Sequence, residues 1–405
     1  MNSHPVRRSV LYITAHYIMT YLGYYGLVST LVVTLNKGGF SAEQIAMLVI
    51  LFTLTTKAAK IPLAPWLDRM AATHSVLIGC GMAAVGFLLL YSAQGFYLTA
   101  CALTLSGTGI SINALASKQL AAATSDMMDN RAKLFSITYI GINIAAAAAA
   151  PLALFLVAQG QYRLVLIGIA VSYCIAGVVT FLNFTKLGMK RPGGGAPSFR
   201  SYWNLLYLPG MAPFLLINFL CWLLYGQLFN VLALHVSETL ALPGKLGWLY
   251  SLNALLVIAL QLPVTHLAHG WSGGKPLGIV RSSYATFALA FIMPFILPGY
   301  GGALAFVLLF TFAEMMFAPS MDVLLLSLIG KESRAVGYSV LSISTALGES
   351  LGGGMGVAVY RWMADYGHAG QFWLLLTGLS LLCIAVAYVL QESSAGLRSL
   401  AAGAA

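Results

Sequence analysis

Several ionisable side chains stand where the sequence is otherwise apolar. Glu314 lies in "FAEMMFAP" (312–319) and Glu349 in "ALGESLGGG" (346–354), each near the middle of a long hydrophobic run. Lys57 and Lys60 sit one helical turn apart in "TTKAAKIPLAPWL" (55–67), and Lys118 lies inside another run. A charge in hydrocarbon costs at least ~2.5 kcal/mol on the mildest scale, so such groups meet water, an opposite charge or a ligand. A carboxyl out of water favours its neutral form and can bind and release a proton at each turnover. A lysine there can hold an anion, pair with a carboxylate, or reach the interface on its long stem. For Lys57 all three readings stand open. Snorkelling suits Lys60 and Lys118 better, because they lie nearer the ends of their runs.

Further polar groups recur at helical spacing. "YITAHYIMTYLGYYG" (12–26) carries His16, Tyr17, Tyr21 and Tyr25, so part of that segment faces something wetter than lipid. A later segment repeats the pattern with Asn218, Trp222, Tyr225 and Asn230, and Asn113 and Asn143 add amides elsewhere. His16 fits a proton relay or a hydrogen-bonded structural role. His266 and His269 have no third ligand near them, so no metal centre is expected. Neither a nucleophile–base pair nor a phosphate-binding loop is legible, which argues against an enzyme and against direct use of ATP.

Composition sets the elements that carry these groups. Of 405 residues, 60% are hydrophobic and 8% charged; soluble domains carry roughly 25% charged residues. The apolar runs are long enough to span a bilayer as helices and too long for barrel strands. The net charge of +10 lies mostly in loops, without the basic stripe that nucleic acid requires. Cys80, Cys101, Cys174, Cys221 and Cys383 all fall in apolar runs and read as small hydrophobes. Arg7 and Arg8 precede a run too long for a signal-peptide core, which reads as the first membrane helix.

Twelve spans are expected: 9–36, 43–67, 75–95, 97–121, 133–158, 162–184, 209–236, 245–268, 277–297, 300–329, 335–361 and 370–390. The Gly/Pro-rich stretch "TKLGMKRPGGGAPSFRSYW" divides them into an N-terminal six-helix bundle (1–185), a linker (186–204) and a C-terminal six-helix bundle (205–405). Most lysines and arginines fall on the loops shared by the termini and the linker, whereas Lys37, Arg163, Lys245 and Arg361 fall on the other side. By the positive-inside rule both termini and the linker are cytoplasmic. The halves also align: "RAKLFSITYIGINIAAAAAAP" (131–151) with "RAVGYSVLSISTALGESLGGG" (334–354), and "KIPL" (60–63) with "QLPV" (261–264). Two repeats around a midplane site are a transporter arrangement.

On these features the chain resembles the major facilitator superfamily over its whole length, and within it the bacterial drug:proton antiporters. "APWLDRMAATH" (64–74) resembles the family's Gly-x-x-x-Asp-Arg-x-Gly loop, with Asp68 and Arg69 in place and Ala64 and Ala71 replacing glycines. The resemblance implies that Asp68 meets the positive N-terminal end of the eleventh span and holds the cytoplasmic side shut. "AAAAAAP" (145–151) is similar to the antiporter Gly-x-x-x-Gly-Pro motif, with Ala146 and Ala150 standing for the glycines; plain helix packing explains it as well. "SLNALLVIALQLP" (251–263) and "FAEMMFAP" resemble multidrug exporters of this branch, which implies that Asn253, Gln261 and Glu314 line or border the cavity. The family fold also implies that the first, fourth, seventh and tenth spans line that cavity. It brings the second and eleventh spans face to face, with Glu349 within reach of Lys57.

The expectation is therefore an all-α membrane protein of twelve transmembrane helices in two six-helix repeats. It is a proton-coupled secondary transporter that exports a small polar, carboxylate-bearing organic molecule, with siderophores as a weaker resemblance. The alternatives are a multidrug/proton antiporter for cationic amphiphiles and a proton-symport importer. Proton coupling falls to Glu314, Glu349 and Asp68. Substrate contacts fall to His16, Tyr21, Tyr25, Lys57, Asn113, Asn143, Asn218, Trp222, Tyr225, Asn253, Gln261 and Glu314. No cofactor or metal is expected. The partners are a small-molecule substrate, protons and membrane lipid, and not nucleic acid, for a monomer in the bacterial inner membrane.

Overall fold

A computed structural model describes residues 4–186 and 200–402, and no strand occurs among them. The helices are α1 (His4–Lys37), α2 (Ala42–Ala58), α3 (Lys60–Leu67), α4 (Ala72–Ser92), α5 (Phe96–Ser125), α6 (Arg131–Ala158), α7 (Tyr162–Lys186) and α8 (Arg200–Leu206). Then follow α9 (Met211–Tyr225), α10 (Val231–Leu234), α11 (Pro243–Trp271), α12 (Pro276–Ile296), α13 (Tyr300–Leu328), α14 (Arg334–Asp365), α15 (Ala369–Ser393) and α16 (Ala395–Ala402). The chain forms two compact units. One is Met1–Tyr202 with Gly330–Ser339, and the other is Trp203–Ile329 with Val340–Ala405. Of the linker expected at 186–204, residues 187–199 lie outside the described residues, and α8 begins at Arg200.

Among the described residues nine helices are long and apolar enough to cross a membrane, or ten if α8 and α9, bent by 86°, count as one span. Neither α1 nor α14 belongs to that set. The first carries Arg7, Arg8, His16 and a run of tyrosines, and the second is rich in glycine and serine. Their polar faces lower the mean hydropathy of helices otherwise long enough to span.

Local chemistry explains the helix boundaries. Ser41 and Gln44 form a capping box that starts α2. Gly95 and Gly299, at φ 79° and 86°, supply turns before α5 and α13 that a side chain would strain. The expected second span is found as Glu43–Leu67, with one turn residue, Ala59, between α2 and α3. Pro62 has no N–H for the Ala58 carbonyl and its ring crowds that oxygen, and the Lys60 N–H bonds the Ser111 hydroxyl at 3.0 Å. The expected seventh span is interrupted after Tyr225, by turns and then a π-turn at His235–Thr239.

Glycine lets the helices of each unit meet backbone to backbone. A Cβ on Gly79 would lie 2.6 Å from the Asn113 nitrogen, and one on Gly86 would lie 2.5 Å from that of Ser106. These positions draw α4 onto α5. In the other unit Gly348 and Gly352 meet the Phe219 and Leu223 carbonyls, so a small-residue stripe of α14 seats against α9. The equivalent stripe read on the fifth span is less engaged: Ala146 is half-buried, and the side chain of Ala150 lies outside the described residues. Gly79→Leu should therefore lower the thermal unfolding midpoint of detergent-purified protein, at a cost of about 1–3 kcal/mol from overpacking. An unchanged midpoint would contradict this close approach.

Candidate transport site

In the first unit, α1, α5 and α7 enclose His16, which is 1% exposed. Its Nε2 lies 3.0 Å from Asn113 Oδ1 and 2.9 Å from Ser117 Oγ, and its Nδ1 lies 2.9 Å from Thr180 Oγ1. The Cys80 thiol donates to the same Asn113 oxygen at 3.3 Å. With the proton on Nε2, His16 donates to Asn113 and Ser117 and accepts from the Thr180 hydroxyl. With both nitrogens protonated, Nδ1 donates to Thr180 Oγ1 and faces the Ala176 carbonyl at 3.4 Å. The cluster is hydrogen-bonded in either state.

Tyr21 and Tyr25 continue up the same helix as a half-buried aromatic column, with ring centroids 6.0 Å from Tyr17 to Tyr21 and 5.8 Å from Tyr21 to Tyr25. Lys57 borders a cavity of about 110 Å3 between α1 and α2, with Tyr24, Phe52, Thr53 and Thr56 around it. The Asn143 amide donates to the Tyr139 carbonyl of its own helix at 3.0 Å.

In the second unit Glu314 is 1% exposed. The Asn253 amide donates to its Oε2 at 2.8 Å and to Thr311 Oγ1 at 2.9 Å, and the Tyr225 hydroxyl donates to Oε1 at 3.2 Å. Three helices thus converge on one carboxyl: α13 carries it, α11 supplies the amide, and α9 supplies the phenol at the point where that helix breaks. Trp222 packs edge-on to Tyr225 at 4.8 Å and to Phe317 at 5.5 Å, which gives the carboxyl an aromatic wall.

The remaining residues of this unit are arranged differently. Asn218 donates to Ser344 Oγ and Thr345 Oγ1 at 3.0 and 3.2 Å, tying α9 to α14. Gln261 donates to the Met315 carbonyl at 2.9 Å and fixes α11 on the backbone of α13 next to Glu314. Glu349 is half-buried on α14.

Asp68 ends α3 and belongs to the first unit, as do residues 330–339. Its Oδ1 accepts from the Ala335 N–H at 2.6 Å and its Oδ2 from the Val336 N–H at 3.0 Å, and the Gln119 amide donates to Oδ1 at 3.3 Å. The carboxylate caps the first turn of α14, where backbone donors and the helix dipole favour negative charge. Burial nevertheless pushes its pKa up to about 6. The hydrogen bonds from Ala335, Val336 and Gln119 oppose that rise, and the charge of Glu332 adds to it.

Beside it lies a cluster that spacing did not reveal. Asp126 meets Arg334 at 2.6 Å, Arg131 at 3.3 Å and Lys331 at 3.6 Å. Sequence reading sorted these cations by membrane side and matched Arg131 to Arg334, but it left Asp126 unnamed. The available signal was an acid five residues before Arg131, in a loop whose counterpart also carries basic residues. Ser117, Thr180 and Thr311 were missed for another reason: lone hydroxyls in apolar helices carry no pattern of their own.

A polytopic helical bundle with buried, hydrogen-bonded ionisable groups in each of its two units is the architecture of a membrane transporter. Residues 13–353 match the sequence model of the Major Facilitator Superfamily, and the chain belongs to that family. It is a multi-pass membrane transporter. Among solved structures, the human organic anion transporter MFSD10 (TETRAN) superposes with a TM-score of 0.73 at 14% identity, over 95% of this chain and 100% of that one. A bacterial homologue of the iron transporter ferroportin gives 0.72 at 14% identity, over 95% and 99%. The transporter FucP gives 0.68 at 13%, over 96% and 99%. These likenesses establish the fold. A comparison with curated proteins finds no match.

Proposed function

We propose that the protein is a proton-coupled exporter of a small polar, carboxylate-bearing organic molecule, with siderophores as the nearest class. Twelve spanning helices in two repeats, cytoplasmic termini and a monomer in a bacterial inner membrane complete the reading. The observation that carries it is Glu314, a buried carboxyl held by Tyr225 and Asn253. Such a group can hold a proton on one side of the cycle and release it on the other. Lys57 beside its cavity supports an anionic substrate. The likeness to a human organic anion transporter is compatible with that choice. Asp68 and Glu349 are the secondary proton or gating sites in this reading, and Asp68 holds the cytoplasmic side closed.

The aromatic wall of Trp222, Tyr225 and Phe317 beside Glu314 favours a second reading, a multidrug antiporter for cationic amphiphiles, because aromatic faces and a carboxylate together attract organic cations. An importer would use the same residues in the opposite direction. One experiment separates the three. Mass spectrometry compares medium and cell extract of a deletion strain and its parent, iron-starved and iron-replete. Export of a chelating carboxylate should deplete the compound outside and accumulate it inside in the deletion strain. The reverse distribution supports import, and sensitivity to cationic dyes without any anion difference supports multidrug efflux.

A further inference from the structure

In the second unit, Arg281 stands near the start of α12, a helix of 21 residues that is long and apolar enough to cross the membrane. At 1.5 Å per residue such a helix is about 31 Å long, which just covers the ~30 Å hydrocarbon core. The Arg281 backbone therefore lies roughly 7 Å inside the boundary, and its charge must reach back to the interface on its stem. The neighbouring helix fixes where it goes. The guanidinium lies 4.1 Å from the centroid of the Tyr388 ring on α15, and its Nη1 donates to Gln391 Oε1 at 2.8 Å. Gln391 falls in the last turn of α15, which ends at Ser393. The cation is thus held at the edge of the hydrocarbon, where lipid headgroups begin.

Plain snorkelling leaves an arginine free on its stem in water. This one is stacked on a ring and tied by an amide, so its planar fork of donors is already in position. Its other guanidinium nitrogens have no hydrogen-bond partner among the described residues, and none of them is sealed from the surface. The Glu392 carboxylate accepts from Gln391 Nε2 at 3.3 Å, so the amide stands between the acid and Arg281, and no ion pair joins the two among the described residues. A second guanidinium reaches the same end of α15, where Arg398 of α16 donates to the Glu392 carbonyl. Two cations against one carboxylate leave the cluster net positive.

Apolar surface continues from this cluster toward the membrane interior. α12 packs along α15. Ala285 and Leu289 follow Arg281 at four-residue spacing, Leu381 lies two turns from Tyr388 on the same face, and all three are exposed. An accessible cation at headgroup depth above an exposed apolar seam is complementary to one amphiphile.

We propose that the seam between α12 and α15 binds an anionic phospholipid, with its phosphate on Arg281, Arg398 beside it, and an acyl chain along Ala285, Leu289 and Leu381. Basic pockets between membrane helices hold such headgroups, and a guanidinium fork matches two phosphate oxygens. A zwitterionic lipid brings its own ammonium, which the net positive cluster repels. A soluble anion would leave the apolar seam unused. The site is separate from the transport residues and does not rest on the coupling reading.

The test is native mass spectrometry of the full chain released from detergent, with titrated phosphatidylglycerol, phosphatidylcholine or inorganic phosphate. Phosphatidylglycerol should be retained at lower concentration than phosphatidylcholine, and inorganic phosphate should not compete with it. Arg281→Gln should weaken phosphatidylglycerol binding roughly tenfold, the weight of one charge-assisted contact. Tyr388→Phe keeps the ring beneath the guanidinium and should keep the binding. Arg163→Gln removes a charge from the other unit, where Arg163 lies over Tyr91, and should leave the binding unchanged. Should Arg281→Gln fail to fold, Arg398→Gln, at an exposed position, decides in the same sense. Equal retention of the two lipids overturns the proposal, as does binding undiminished in the glutamine variant that decides it. Displacement of phosphatidylglycerol by inorganic phosphate also overturns it, in favour of a site for a soluble anion.

Discussion

Glu314→Gln should abolish proton-driven flux in sealed vesicles, by more than about 100-fold, while exchange of substrate across the membrane continues, if Glu314 is the proposed coupling site. The amide matches the carboxyl in size, so the packing of α13 against α9 and α11 is retained. Asn253 donates to one carboxyl oxygen and Tyr225 to the other. In the variant the new amide offers one acceptor and one donor; the Asn253 amide can turn its oxygen toward that donor, and the Tyr225 hydroxyl is free to rotate. Folding should survive and the proposed proton site should be lost. Glu314→Asp keeps a titrating group one methylene short and should retain part of the coupled flux. The measurement is uptake into everted vesicles with and without an imposed pH gradient, with substrate exchange as the control. Normal gradient-driven uptake by Glu314→Gln removes this residue from the coupling mechanism, and loss of exchange as well marks it as structural.

Glu314 was legible because a carboxylate in an apolar run is rare and expensive. Its neighbours were legible in part. Asn253 and Tyr225 lie on other segments, and only the fold shows that both reach the same carboxyl. His16 was open between a relay and a structural role, and the structure encloses it in four hydrogen-bonding groups from two helices, α5 and α7. Asn143 shows what residue type leaves open: an amide in a membrane helix can also bond its own backbone one turn earlier.

Helix boundaries were legible wherever apolar length decided them. They were less so for irregularities within a hydrophobic run, because hydropathy does not register the turn residue Ala59 inside the span Glu43–Leu67 or the turns after Tyr225. Pro62 is the residue that could have signalled the first. The second follows Gly226, which sits against the Glu349 carbonyl of α14 with room for no side chain. The ionic cluster around Asp126 depends on a return of the chain some 200 residues later, which local spacing does not encode.

Asp68 carries the last expectation, a pH dependence of definite sign. In place, its carboxyl has a pKa of about 6, because burial outweighs the hydrogen bonds from Ala335, Val336 and Gln119; released into water it returns to the ordinary value near ~3.9. The docked arrangement therefore binds the proton more tightly than the released one. Its contribution is fully present below the released pKa and is lost as pH rises through 6. The difference between the two values corresponds to on the order of 3 kcal/mol between those limits. The protonated acid also has somewhere to donate, since Gln119 Oε1 is buried without a hydrogen-bond partner and the amide can turn toward it. In Asp68→Asn no proton binds, and one of the two N–H groups at the start of α14 loses its acceptor. The difference in unfolding midpoint between wild type and Asp68→Asn should grow in favour of wild type from pH 8 to pH 4.5, beginning near 6 and steepest near ~5, midway between the two pKa values. Glu332→Gln should move that change to lower pH, because it removes the charge that adds to the shift. A difference that stays flat across the range would show that Asp68 does not titrate there and would take it out of the proton sites. A rise near pH 6 would make the start of α14 hold more tightly as the surrounding solution acidifies, which is the behaviour required of a gate that closes when protons arrive.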